Sequence, residues 1–193
     1  MKTLHQTALC AALLLCLPAC DSADEVKKDM EQAGKGNAQA QYILGLRYLY
    51  GTGVRGDFTE AAMWFAKAAE QGHAEAQLEL GECYLDGGGV EMNKTEAVKW
   101  LTKAAEQGNA PAQFRLGACY ERGNGVDKDA AQAVKWYTKA AGHGYAEAQS
   151  RLGRCYLSGT GVANDTAEAV KWYTKTAAQG HEEAQQTLKK IPQ

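Results

Sequence analysis

The chain has 193 residues, a net charge of −2, and 45% hydrophobic against 23% charged residues. Acids and bases are interspersed along it, which argues against nucleic acid as the main partner. Beyond the first twenty residues no apolar stretch approaches the roughly 20 residues that a membrane-crossing helix needs, so the body of the chain reads as one soluble domain of about 170 residues.

The opening MKTLHQTALCAALLLCLPAC sets Lys2 before an apolar run from Ala8 to Ala19. About a dozen apolar residues are too few to span a bilayer but suit the core of a secretory signal. The run ends in Leu17-Pro18-Ala19-Cys20, which resembles the lipobox of bacterial lipoproteins, although Pro18 stands where a small or aliphatic residue is usual. The resemblance implies removal of residues 1–19 as a signal peptide and acylation of Cys20 at its thiol and amine. At ~0.8 kcal/mol per buried methylene, several acyl chains hold a protein firmly on a membrane. Asp21 resembles the inner-membrane retention signal of enteric lipoproteins, so the expected location is the bacterial cell envelope, facing the periplasm, with the inner membrane favoured. Residues 20–23 are the only link to the first helical pattern, which is expected to hold the domain close to the membrane surface.

Residues 24–36 occupy the slots of a helix, with Lys28 where later copies carry tryptophan, and read as a polar N-terminal cap. From residue 37 the chain repeats every 36 residues, over 37–72, 73–108, 109–144 and 145–180. Leu44-Gly45, Leu80-Gly81, Leu116-Gly117 and Leu152-Gly153 are one slot; Tyr48, Tyr84, Tyr120 and Tyr156 are a second; Trp64, Trp100, Trp136 and Trp172 are a third. A fixed period in this range marks a solenoid, whose units bury their apolar faces only against their neighbours. Residues 181–193 begin a fifth copy with Ala184, Gln185 and Leu188, then put Lys189 in place of the glycine, and read as a C-terminal cap.

The second copy shows the logic of one unit. Ala76, Leu80, Cys83 and Tyr84 recur three or four apart on one face of a predicted helix, with Gly81 as a notch in it. Glycine inside a helix costs up to ~1 kcal/mol, so its return in each copy implies a bulky neighbour against the backbone. The tryptophan of the following helix is the predicted occupant. A Gly-x-Gly-Val turn follows at Gly51, Gly87, Gly123 and Gly159; no Gly-Lys-Ser/Thr accompanies it, so it is not a phosphate loop. The next helix opens on a capping box, with Asp57-x-x-Glu60, Asn93-x-x-Glu96, Asp129-x-x-Gln132 and Asp165-x-x-Glu168 each pairing an N-cap side chain with one that reaches back. These acids are assigned to helix ends and not to catalysis. Ala97, Trp100, Leu101, Ala104 and Ala105 then form a buried stripe, and Thr176 replaces the first alanine of the pair in the last copy.

The strings Ala-x-Ala-Gln-x-x-Leu-Gly-x-x-Tyr, Gly-x-Gly-Val and Ala-x-x-Trp-x-x-x-Ala-Ala-x-x-Gly resemble Sel1-like repeats (SLR), relatives of tetratricopeptide repeats, over about residues 37–190. The resemblance implies an all-α, right-handed α-solenoid of antiparallel helix pairs, four repeats with a capping helix at each end. It also implies a protein-binding role without cofactor: most members are adaptors of membrane or envelope complexes. Some bacterial lipoprotein members resemble immunity proteins that neutralise toxic effectors, and some cysteine-rich members have been discussed as penicillin binders or β-lactamases.

The chain gives little support for chemistry. Ser22, Ser150 and Ser158 are its only serines, and none opens the Ser-x-x-Lys of a serine β-lactamase. Cys83, Cys119 and Cys155 share a slot that Arg47 fills in the first copy. Packed helix axes lie roughly 8–10 Å apart, too far for equivalent cysteines of adjacent repeats to bond readily. They read as small hydrophobes in the seam between repeats. His73, His143 and His181 have no metal-ligand spacing and read as solvated turn residues, so no metal is expected.

In stacked helix pairs of this kind the first helices line the concave face. The slots that escape the buried stripe are Tyr42, Leu46, Leu49 and Tyr50, then Leu78, Glu82 and Asp86, then Phe114, Glu121 and Arg122, and finally Arg154, Ser158 and Ser150. Tyr42, Leu46, Tyr50, Leu78, Glu82, Asp86, Phe114, Arg122 and Arg154 are the candidate partner-binding residues, running from an apolar end through an acidic middle to a basic end. Such a surface suits an extended or helical protein segment.

Overall fold

The computed structural model describes residues 23–191. These form α1 (Ala23–Gly34), α2 (Ala38–Tyr50), α3 (Phe58–Glu70), α4 (Ala74–Asp86) and α5 (Lys94–Glu106). The series continues with α6 (Ala110–Arg122), α7 (Ala130–Gly142), α8 (Ala146–Ser158), α9 (Thr166–Ala178) and α10 (Glu182–Lys190). No strand occurs among the described residues. Each helix packs on the one before and the one after, which makes the chain an α-solenoid. The predicted signal peptide and Cys20 lie outside the described residues.

The core sits in the seams between repeats. Ala61, Phe65, Ala68 and Ala69 of α3 bury against Ala76 and Leu80 of α4, with Trp100 of the next unit packed on the same cluster. The pattern recurs one repeat on, where Leu101 and Ala104 meet Ala112, Leu116 and Cys119, and Trp136 covers them. Paired alanines let the helices approach closely, and the solenoid carries one such apolar layer at every junction. The cysteine slot belongs to this layer, with Cys119 and Cys155 buried, Cys83 half-buried, and all three thiols free.

The glycine notch is filled by the residue after the tryptophan, not by the tryptophan. A Cβ at Gly81 would stand 2.8 Å from Leu101, and one at Gly117 2.7 Å from Tyr137. Gly45 faces Phe65 in the same way, and Gly153 faces Tyr173. The tryptophan is turned towards the preceding repeat and carries a lysine over its outer face, such as Lys103 Nζ 3.7 Å from the Trp100 ring centre. Residues one apart on a helix differ by about 100° in direction, so one side chain fills its own repeat and the other the seam.

Only half of each capping box forms. Asp57 accepts from the N–H groups of Thr59 and Glu60, and Asn93, Asp129 and Asp165 accept from Glu96, Gln132 and Glu168. The returning bond is replaced by one across the hairpin: the N–H of Asp57, Asn93, Asp129 and Asp165 donates to the carbonyl of Tyr48, Tyr84, Tyr120 and Tyr156. Glu96 and Glu168 are thereby free to pair with Lys99 and Lys171. The turn glycine Gly87 takes φ 73° and its N–H donates to Cys83, closing the first helix.

Candidate functional site

One glutamine per repeat fixes each first helix to the repeat before it. Gln77 Nε2 donates to the Ala69 carbonyl at 3.0 Å, and Gln41, Gln113 and Gln149 do the same to Ala33, Ala105 and Ala141. At the N-terminal end buried Arg47, in the cysteine slot, bonds Asp29 of α1 through Nε at 2.9 Å and so holds the capping helix. These contacts set the first helices side by side, and ion pairs then bridge their outward faces.

Glu82 on α4 meets Arg115 Nε on α6 at 2.8 Å. Glu121 on α6 meets Arg154 at 3.3 Å and Arg151 at 3.6 Å on α8. Its other oxygen accepts a 2.7 Å hydrogen bond from the hydroxyl of Tyr137, whose ring fills the Gly117 notch. The face is therefore a row of inter-repeat pairs, acid on one helix and base on the next. Burial pushes the Glu82 carboxyl up to about 7, with Glu79 and Asp86 adding to the push and Arg115 opposing it. Burial, then the bond to Glu121, raises the Tyr137 phenol far above its usual range.

The predicted binding residues divide between face and seam. Tyr50, Asp86 and Arg122 are exposed, and Arg154 is 55% exposed beside Glu121. Leu46 and Leu78 are half-buried against the apolar layers, so they show edges only. Tyr42 is buried, its ring stacked on His73 at 4.8 Å between centroids, so it supports the face without presenting itself. Phe114 lies between Tyr137 at 5.6 Å and Tyr145 at 5.4 Å, half-buried for the same reason. Arg115, Arg151 and Tyr145 complete the row and were missed by a reading of every fourth residue. The signal for the two arginines was the slot Ile43, Glu79, Arg115 and Arg151, and that for Tyr145 the slot Asn37, His73, Asn109 and Tyr145, both of which vary from copy to copy.

His73 is a structural residue and not a solvated one. Its Nδ1 accepts the N–H of Ala76 as an N-cap, leaving Nε2 to donate to Gln39 at 2.9 Å. The thiols are engaged in packing: burial pushes Cys83 up to about 12 and Cys119 up to about 11, and raises Cys155 as well. Ser158 donates its hydroxyl to the Arg154 carbonyl of its own helix at 2.9 Å. The surface offers shape, aromatic edges and paired charge, which are means of recognition.

The Sel1 repeat family matches the chain four times, at residues 38–73, 74–109, 110–145 and 146–181. Among solved structures, a protective antigen present in uropathogenic Escherichia coli strains, displaying an SLR fold, is 40% identical with a TM-score of 0.84 over 86% of this chain and 36% of its own. A Sel1 repeat protein from Oxalobacter formigenes is 38% identical with a TM-score of 0.80 over 86% of this chain and 66% of its own. Helicobacter pylori cysteine rich protein B is 30% identical with a TM-score of 0.56 over 72% of this chain and 99% of its own. The chain thus spans about a third of the first of these structures and just under two thirds of the second. No curated protein sequence matches it. With four consecutive matches and the helix pairs that carry them, the chain belongs to the Sel1 repeat family.

Proposed function

We propose that this protein is a lipid-anchored binding module of the bacterial cell envelope that takes a segment of a protein partner across the concave row of its first helices. Sel1 repeats are protein–protein interaction units, and this reading gives the interaction a face and a place. The observation that carries it is one slot: Tyr50, Asp86, Arg122 and Ser158 are equivalent, exposed in every repeat and different in every repeat. The structural slots around it hold their leucine, glycine, glutamine and tyrosine in all four copies. The lipobox-like Leu17-Pro18-Ala19-Cys20 supports the anchor, and Asp21 favours the inner membrane.

The test is photo-crosslinking in cells from positions 50 and 122, with position 135 on the exposed side of α7 as the control. A discrete partner trapped from 50 and 122 but not from 135 supports the reading. Equal labelling from all three removes the face. A single trapped partner that is an enzyme, and that loses activity when bound, turns the role from scaffold to immunity.

A further inference from the structure

Among the described residues the most exposed large hydrophobic side chains are Met92 at 59% and Phe58 at 56%. The turn that leads to Met92 lies against the start of the helix that Phe58 opens. Gly89, in the turn that leads to Met92, stands so close to the Phe58 carbonyl that no Cβ fits between them. Both therefore lie on the edge formed by the N-termini of the second helices and the turns before them. Further along this edge the slot of Met92 holds Lys128 and Asn164, and that of Phe58 holds Lys94, Ala130 and Thr166. The apolar character is confined to the first two repeats.

The chain enters the fold at the same edge. Ala23, the first residue of α1, holds the place that Thr59 holds in α3 one repeat later. Only Asp21 and Ser22 separate it from Cys20, a reach of at most about 11 Å at full extension. An acylated Cys20 would bring this edge within reach of the headgroups. Phenylalanine and methionine suit the boundary between headgroups and acyl chains. Arg55 and Lys94 on the same edge are outnumbered by exposed Asp24, Glu25, Asp57 and Glu91, so the apolar side chains and not charge carry the contact.

We propose that the edge bearing Phe58 and Met92 is a lipid-contact surface, seated in the bilayer that anchors Cys20 and fixing the orientation of the solenoid upon it. This rests on the acylation of Cys20 proposed above. The test uses full-length acylated protein in vesicles of phosphatidylethanolamine and phosphatidylglycerol, with a nitroxide at Phe58→Cys or Met92→Cys and at Asn164→Cys for reference. Protein without an added cysteine gives the background from the native thiols. Labels at 58 and 92 should meet dissolved oxygen in preference to a nickel chelate, with a collision ratio on the order of tenfold above that at 164. Equal nickel access at 58, 92 and 164, on protein whose Cys20 mass spectrometry finds acylated, overturns the lipid contact and leaves the anchor standing. An unmodified Cys20 in cells overturns both. With the label at Arg55→Cys, the pair Phe58→Ser and Met92→Ser should raise nickel access while the helical melt stays the same; unchanged access overturns the contact.

Discussion

Gln107 Nε2 donates to Gln77 Oε1 at 2.7 Å, joining the end of one second helix to the start of the first helix in the same repeat. Gln71 and Gln179 make the same bond to Gln41 and Gln149. In the third repeat the donor position is His143, and Gln113 Oε1 is buried without a partner. A buried acceptor left unsatisfied costs about 1–3 kcal/mol. His143→Gln should complete the ladder and stabilise the protein by about 1 kcal/mol, read as a higher Tm by calorimetry. An unchanged or lower Tm would show that Gln113 finds its partner elsewhere.

The notch glycines predict a graded response to one methyl group. Gly117→Ala puts a Cβ 2.7 Å from the Tyr137 ring, which is fully buried and tied to Glu121 through its hydroxyl. Gly153→Ala meets Tyr173 at 3.1 Å, near the end of the stack. Overpacking costs roughly 1–3 kcal/mol, and the gain in helix propensity returns up to about 1. Gly117→Ala should destabilise by about 2 kcal/mol in urea and Gly153→Ala by less than half of that. Equal losses would mean that Tyr137 moves as readily as Tyr173.

The helix order, the seam cysteines and the N-caps were legible because each is set by local pattern: period, small size, or an acid before an apolar run. The occupant of the notch was not. Trp100 and Leu101 are adjacent in sequence, and only the direction of the helix relative to its partner decides which fills Gly81. The missing return arm of the capping box has a similar cause, since the Asn93 N–H finds the Tyr84 carbonyl across a turn whose path sequence does not give. At the candidate face, exposed Tyr50, Asp86 and Arg122 follow from a variable slot, but the Glu82–Arg115 and Glu121–Arg154 pairs depend on how far one repeat is displaced from the next.

The thiols should be inert while the protein is folded. Cys83 is pushed up to about 12 and Cys119 to about 11, chiefly by burial, so little thiolate exists near neutrality. Only the thiolate attacks a disulfide reagent. At pH 8 the folded protein should react with such a reagent roughly a hundredfold more slowly than a peptide cysteine, and at the peptide rate in strong denaturant. Fast reaction of any one thiol in the folded state would show that its seam opens to solvent and frees it from this burial.

Glu82 predicts a pH dependence of a definite sign. Its carboxyl is raised from 4.5 to about 7 in the folded chain, mainly by burial, so folding takes up a proton between those values. The associated stability is fully present below the unfolded value and is lost as pH rises through the folded one. Glu82→Gln removes that loss, though it also takes a partner from Arg115, which is 32% exposed at the ion pair. The full shift corresponds to roughly 3 kcal/mol, so a net gain of about 2 kcal/mol is expected at pH 8. The gain should shrink towards zero, or reverse, near pH 5, where Glu82 is already protonated in the folded state. Urea titrations of both proteins at pH 5, 6, 7 and 8 provide the check. A variant less stable than the native protein at pH 8 would mean that the attraction between Glu82 and Arg115 outweighs the burial of the charge.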